Sequence, residues 1–368
     1  MIAFSYFPTR SLLVGLVLCA ASLVRAQNDS PGAVFTETNA PDGNHVLVFA
    51  RNAHGELSAP ESYPTGGNGT GAGLGNQGAV ALSDNGQWLL AVNAGSNQVS
   101  VFSVRNDGLV LTDLAASGGQ RPISVTIADN LVYVLNAGGV SGGADTINGF
   151  FLSENGKLWP IPGSARSLSG ASVAPAQISF AQRGDVLIVT EKATSRVDTF
   201  AVNDDGLAST VKTIPSSGAT PFGFAVSSHG FAFVSEAVSS ALTSYRIGND
   251  GTLAIVTPTL SNKQVAACWT VISKDEHYAY TANAATNNLS GYRIAHDGSL
   301  TLLDSTGITA ATDRRPLDLA SSQNGRFVYS LDPGAGTVVG FKMSEDGHLS
   351  RASATAGAPA TATGLAAR

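Results

Sequence analysis

Cysteine and methionine are almost absent from this 368-residue chain, with two of each. A disulfide framework is therefore excluded as the source of stability. Charge is scarce too, at 13% Asp, Glu, Lys and Arg, about half the usual share of roughly 25%. Disorder needs high charge and low hydrophobicity, so it is excluded along with the charge. Basic residues number 21 against 27 acidic. Nucleic acid is not an expected partner, because phosphate binding needs a basic surface.

What the chain does have is glycine, 41 residues, and a 43% hydrophobic share. That is ample for a large core, and the Gly-rich, Met-poor composition argues against a helical bundle. The first 26 residues read as a secretory leader. Arg10 precedes the apolar run Ser11–Val24, which ends in Val24-Arg25-Ala26 with small residues at −3 and −1. The run is too short and too poorly flanked for a stable membrane anchor. Cleavage before Gln27 takes Arg10 and Arg25 from the 21 basic residues, leaving 19 against 27 acidic and a net charge of −8. One cysteine, Cys268, stays in the mature chain. The expected location is secreted or periplasmic, with no membrane attachment after cleavage.

A repeat sets the fold. Seven segments carry two β-rich runs, each pair closed by a turn with Gly before an apolar residue. The turn glycines are Gly55, Gly108, Gly156, Gly206, Gly251, Gly298 and Gly347. Asp-Gly or Asn-Gly between alternating runs is a strong hairpin signal. A period near 49 with several short strands per unit predicts an all-β, seven-bladed β-propeller with four antiparallel strands per blade. In one unit, strands A, B and C read as Ala79–Leu82, Trp88–Val92 and Gln98–Val104, with D following Gly108. Pro122, Pro175, Pro221 and Pro316 each precede a strand A, where proline is tolerated. The first unit begins at strand B, Ala33–Thr38, and lacks strand A. The tail from Ala358 to Arg368 resembles Ala174–Phe180, an A strand. Thr363–Ala367 is thus expected to pair with the N-terminal strands and close the ring as a single domain, residues 27–368.

These features resemble the seven-bladed lactonase propellers. The Asp-Gly-x-Leu turns, the Pro-initiated A strands and the terminal Gly364-Leu365-Ala366-Ala367-Arg368 carry the resemblance, which spans residues 33–368. That family includes bacterial 6-phosphogluconolactonases and fungal carboxymuconate lactonising enzymes. The resemblance implies a lactonase, or a muconate-cycloisomerase-like activity, on a sugar-acid lactone or similar anionic molecule. It also implies a His with Arg and Glu near the channel top. Arg and Glu carry over as Arg121, Glu191 and Glu236. The matching strand starts, Arg121-Pro122-Ile123-Ser124 and Ala174-Pro175-Ala176-Gln177, hold no His. A non-catalytic binding or scaffold propeller is the alternative.

The D–A and B–C loops should form one face, the top. Strand B ends at Asn39, Asn93, Asn136, Glu191, Glu236, Asn283 and Asp332. Asn there fits a side-chain turn bond. Glu191 and Glu236, in adjacent blades, are the candidate catalytic carboxylates, since a confined carboxyl group can serve as acid or base. The alternative is two solvated or salt-bridged turn residues, with Lys192 and Arg121 as partners. Arg121, Gln177, Lys192, Trp269, Arg315 and Asp332 are the candidate substrate-binding residues. Guanidinium groups hold anions in bidentate fashion, and Arg121, Arg166, Lys263, Arg314 and Arg315 fall in or beside D–A loops. Cys268 reads as a small buried hydrophobe. Trp269, like Phe222 and Phe224, reads as either a stacking platform or interblade packing. The six histidines map mainly to A–B and C–D turns, on the bottom.

Two pattern matches fail. Gly73-Leu74-Gly75-Asn76-Gln77-Gly78 fits the dinucleotide fingerprint but leads into a strand, so it reads as a flexible D–A loop. Gly139–Gly143 fits G-x-S-x-G without a following helix. No residue cluster has metal-ligand spacing, so no metal and no cofactor are expected. Asn28, Asn68 and Asn288 begin glycosylation sequons. A monomer with an anionic small-molecule ligand is the expected state.

Overall fold

The computed structural model describes residues 1–2, 31–181 and 184–368. All but the first two residues of the expected leader lie outside the described residues. The rest forms seven antiparallel sheets in a ring. Blade 2 shows the pattern: strand A Val80–Leu82, B Trp88–Asn93, C Gln98–Arg105 and D Gly108–Ala116. In blades 3 and 6 the outer strand is in two pieces. The A strands start at Pro122, Pro175, Pro221, Ala267 and Asp318 in blades 3 to 7 and line the axis. Helix among the described residues is limited to 3-10 geometry, in the turn Gly138–Ser141 and at Gly184.

The ring closes between the chain's two ends, as the repeat predicts. Strand Thr363–Ala367 pairs with Gly32–Glu37, matching Val34 with Ala367 and Phe35 with Ala366. Leu365 packs with Val34, Tyr329 and Leu331, while Ala366 packs with Phe35 and Val80. The terminal strand thus touches the cores on both its sides.

The turn glycines do more than reverse the chain. All seven have positive φ, between 74° and 129°, where a side chain is strained. They also dock on the preceding blade. A methyl on Gly55, Gly298 or Gly347 would come within 2.3 Å of Phe327, Phe231 or Tyr278. Buried Tyr133, Tyr280 and Tyr329 donate to the carbonyls of Gly206, Gly347 and Gly55 at 2.7, 2.7 and 3.1 Å. Each hydroxyl therefore finds its partner in the next blade, which a buried phenol needs.

The top face has its own latch. Arg121, Ala174, Thr220, Ala266 and Arg315, just before strand A, all have φ between 51° and 63°. Such backbone is uncommon outside glycine. In four of them the strained N–H is held by the B–C loop of the preceding blade. Asn97 accepts from Arg121 at 2.7 Å and Asn287 from Arg315 at 2.7 Å. Ser195 accepts from Thr220 and Ser240 from Ala266, at 3.1 and 3.2 Å. Each latch fixes where strand A enters the axis, and so fixes the residues around the channel mouth.

Candidate functional site

A loop crosses the mouth of the axial channel. Residues 71–78, which include the segment 73–78 expected to be flexible, are instead pinned to four blades. Lys192 of blade 4 donates to the carbonyl of Gly75. The Trp269 indole N–H of blade 6 donates to Asn76 O at 2.7 Å. Thr363 of blade 1 donates to Asn76 Oδ1 at 3.0 Å, and the Asn76 amide donates to Ile123 O of blade 3. Gln77 Nε2 donates to Thr270 O at 2.8 Å, and Gln77 Oε1 accepts from Thr270 N at 3.1 Å. Gly71 N donates to Asn39 O at 2.8 Å. Leu74 is buried in the core of blades 2 to 4. The correction has a simple cause: glycines let the chain turn sharply, while Leu74, Asn76 and Gln77 supply the anchors.

Above this floor lies a pocket of about 380 Å³, walled by Phe222, Trp269, Arg315, Leu317 and the closing segment 360–363. That volume suits a small ligand. Phe222 meets Trp269 edge-on, with centroids 5.0 Å apart. The Arg315 guanidinium is exposed and, among the described residues, has no hydrogen-bond or ion-pair partner. Lys192 sits beside the floor. Its ammonium also donates to Pro175 O at 2.8 Å and lies 5.0 Å from the Phe222 ring. Burial pushes its pKa down to about 8.

So Trp269 and Arg315 come together, with Lys192 adjoining through Gly75. The other candidates do not join them. Arg121 lines a separate depression of about 290 Å³ with Asn97, Gln120 and Ser141. Gln177 lies beneath the crossing loop, in an axial cavity of about 340 Å³. Both ends of its amide bond to the Phe224 backbone of the next blade, at 3.0 and 2.7 Å.

Glu191, Glu236 and Asp332 are fully buried, as are Asn93, Asn136 and Asn283. The carboxylates occupy the asparagine position and do the asparagine's work. Asn93 bonds Ser100 and Asn283 bonds Ser290, at 2.7 and 2.8 Å. Glu236 likewise accepts from Thr243 at 2.7 Å and from the Gly218 N–H at 2.7 Å. Glu191 accepts from Ser169 Oγ and Thr194 Oγ1, both at 2.6 Å. Asp332 accepts from Asp313 N at 2.6 Å. Each ties strand B to its own blade's strand C or loops, and none lines the mouth pocket. Burial raises the Glu236 pKa, and raises Asp332 to about 6. Asp198, which the sequence reading passed over, stands beside Glu191. Burial first, and then Glu191, push it up to about 8. Cys268 is buried, with its thiol pushed up to about 12. No histidine lines the mouth pocket. His229 and His277 line a bottom groove instead, paired with Glu276 and Asp275.

The family signature of the seven-bladed β-propeller lactonases matches residues 42–142 and 252–363, more than half of the chain. The chain belongs to this lactonase family. A search of curated proteins finds no match. Among solved structures, the periplasmic gluconolactonase of Pseudomonas aeruginosa is 14% identical. It aligns over 91% of this chain and 98% of its own, with a TM-score of 0.72. A candidate 6-phosphogluconolactonase from Bacteroides fragilis is 18% identical over 92% and 98%, with a TM-score of 0.69. At these identities the likeness concerns the fold. No helix among the described residues is long and apolar enough to cross a membrane.

Proposed function

We propose that this lactonase-family propeller is an exported enzyme that opens the lactone of a sugar acid or a similar small anionic ring. One observation carries the reading: an Arg315 guanidinium with no partner among the described residues stands beside the Phe222–Trp269 pair in a pocket of about 380 Å³. Arg315 would hold the anionic group and the aromatic pair one face of the ring. Water adds to the lactone carbonyl, the ring C–O bond breaks, and the ring oxygen takes the proton to give a hydroxy acid. Lys192 is the titratable group adjoining the floor, and its pKa of about 8 suits its neutral amine to take a proton from the attacking water and return it to the ring oxygen. Export rests on the leader reading, and the periplasmic relative has the same fold.

A specific observation favours a second reading, binding without turnover: among the described residues no carboxylate or imidazole lines the pocket. One experiment separates the two. Hydrolysis of glucaro-1,4-lactone, whose ring carries a free carboxylate, is followed against pH in wild type, Arg315→Gln and Lys192→Arg. The enzyme reading expects kcat/KM to rise through about pH 8 and to fall by roughly 10-fold or more in each variant. Lactone binding without turnover would establish the second reading, and neither binding nor turnover would remove both.

A further inference from the structure

The crossing loop has two properties its structural role does not need. The first is a void. Gly71 and Gly75 have φ of 70° and 63°, backbone that favours glycine. Gly73 is different: its φ lies outside the left-handed region, and a side chain there would meet nothing within 4 Å. Among the described glycines it alone combines these two features. Neither fold nor packing demands a bare backbone at 73, yet that backbone lines the mouth pocket.

The second property is a row of free donors. The carbonyls of Ala72, Gly75 and Asn76 are drawn to Asn39, Lys192 and Trp269. The N–H groups of Gly73, Leu74 and Gly75 make no hydrogen bond within the described residues. Successive free amides, on a segment whose carbonyls at 72, 75 and 76 are tied to protein, are donors suited to an anion. The Lys192 ammonium on Gly75 O and the Arg315 guanidinium across the pocket favour negative charge in the same place.

We propose that residues 73–75 form a backbone cradle for a carboxylate of the ligand, opposite Arg315, and that Gly73 is left bare to admit it. This rests on the mouth pocket being the ligand site. The segment that fails as a dinucleotide fingerprint, for want of a helix, thus offers an anion its loop amides, with Arg315 opposite. The anchors at 72, 75 and 76 hold the donors in place before the ligand arrives, so ordering costs little.

Thiol labelling tests this without knowing the ligand. In the chain from Gln27, which lacks Cys19, Gly73→Cys introduces a single accessible thiol, because Cys268 is buried with a high thiol pKa. Its rates with sulfonatoethyl and trimethylammonioethyl methanethiosulfonate are compared with those at exposed Ser350→Cys. The acidic protein should favour the cationic reagent at the reference site. At position 73 the anionic reagent should be favoured by about threefold or more, with the ratio at least halved by adding Arg315→Gln. Slow labelling, or a cationic preference at 73, overturns the cradle. Gly73→Ala should melt within about 2 °C of wild type, and a fall beyond about 5 °C would show that the fold needs the bare position. Gluconate at about 10 mM should slow the labelling several-fold. An anionic preference without gluconate protection upholds the cradle and removes the sugar-acid reading of the ligand.

Discussion

Deleting residues 359–368 should abolish soluble expression, and the closing strand shows why. Three register pairs join Thr363–Ala367 to Gly32–Glu37. Further bonds run from Arg368 N to Ala33 O at 2.9 Å, Thr36 Oγ1 to Thr363 O at 3.2 Å and Leu365 N to Asp318 Oδ2 at 3.1 Å. Together these are about five hydrogen bonds at about 1 kcal/mol each. Burial of Leu365 adds about 2 kcal/mol. The inner face of blade 1 would be left as an unpaired edge between two opened cores. A loss of about 7 kcal/mol compares with a typical total of about 5–15. The milder Leu365→Ala should cost about 2–4 kcal/mol and keep the fold. The assay is soluble yield, followed by chemical denaturation of whatever is recovered. A soluble truncation with unchanged stability would mean that the ring does not depend on this strand.

The buried carboxylates give two further tests. Glu236→Gln should leave stability and any lactone turnover nearly unchanged, since the acid already sits where other blades have an amide. Glu236→Ala should cost about 2–4 kcal/mol by stranding the Gly218 N–H and the Thr243 hydroxyl. Loss of turnover in Glu236→Gln at unchanged melting temperature would instead make it a catalytic group. Asp318 governs the alkaline side. Burial pushes its pKa up to about 8, although it accepts from the Leu365 N–H. A raised carboxyl pKa means that the folded state holds a proton which the unfolded chain releases above about pH 4. Its contribution is complete below that pH and is lost as pH rises through about 8. Stability should therefore decline from pH 5 to 8, by up to about 1.4 kcal/mol per pH unit for each such proton. Asp198 and Asp332 add to the slope, and Asp318→Asn should flatten it. An identical slope in Asp318→Asn would show that the group is ionised in the native state.

The fold was legible because its signals are local and repeated. A glycine before an apolar residue marks a turn in any blade, and seven of them give the period. Ring closure was legible because one unit lacked a strand and the tail copied one. The interblade use of those glycines was not legible: that Gly55 sits on Phe327, or that Tyr329 reaches its carbonyl, depends on contacts some 270 residues apart. Half the mouth was readable, because Trp269, Arg315 and Lys192 are residue types with a chemistry of their own. The floor was not, because residues 71–78 present mostly backbone and sequence patterns describe side chains.

Glu191 and Glu236 show where comparing residue types within the repeat goes astray. At one blade position, asparagine in some units and carboxylate in others looks like a gain of chemistry. The structure shows one geometric task common to both, closing the end of strand B on the partners beside it. Glutamate can do that task only as a buried acid, and the space for Glu236 comes from Gly218. A side chain there would stand 2.0 Å from Glu236 Oε2. The same fit joins Gly67 to Asn93 and Gly119 to Asn136, at 2.5 and 2.6 Å. The pairing of a loop glycine with the strand-B end thus recurs in blades 2, 3 and 5. A residue in such a pair is held by the fold, whatever its chemistry. The pocket residues have no such pairing: Arg315 has no partner among the described residues, and Gly73 has no neighbour to make room for. In a repeat protein, the positions that the repeat leaves unexplained are where function has room to act.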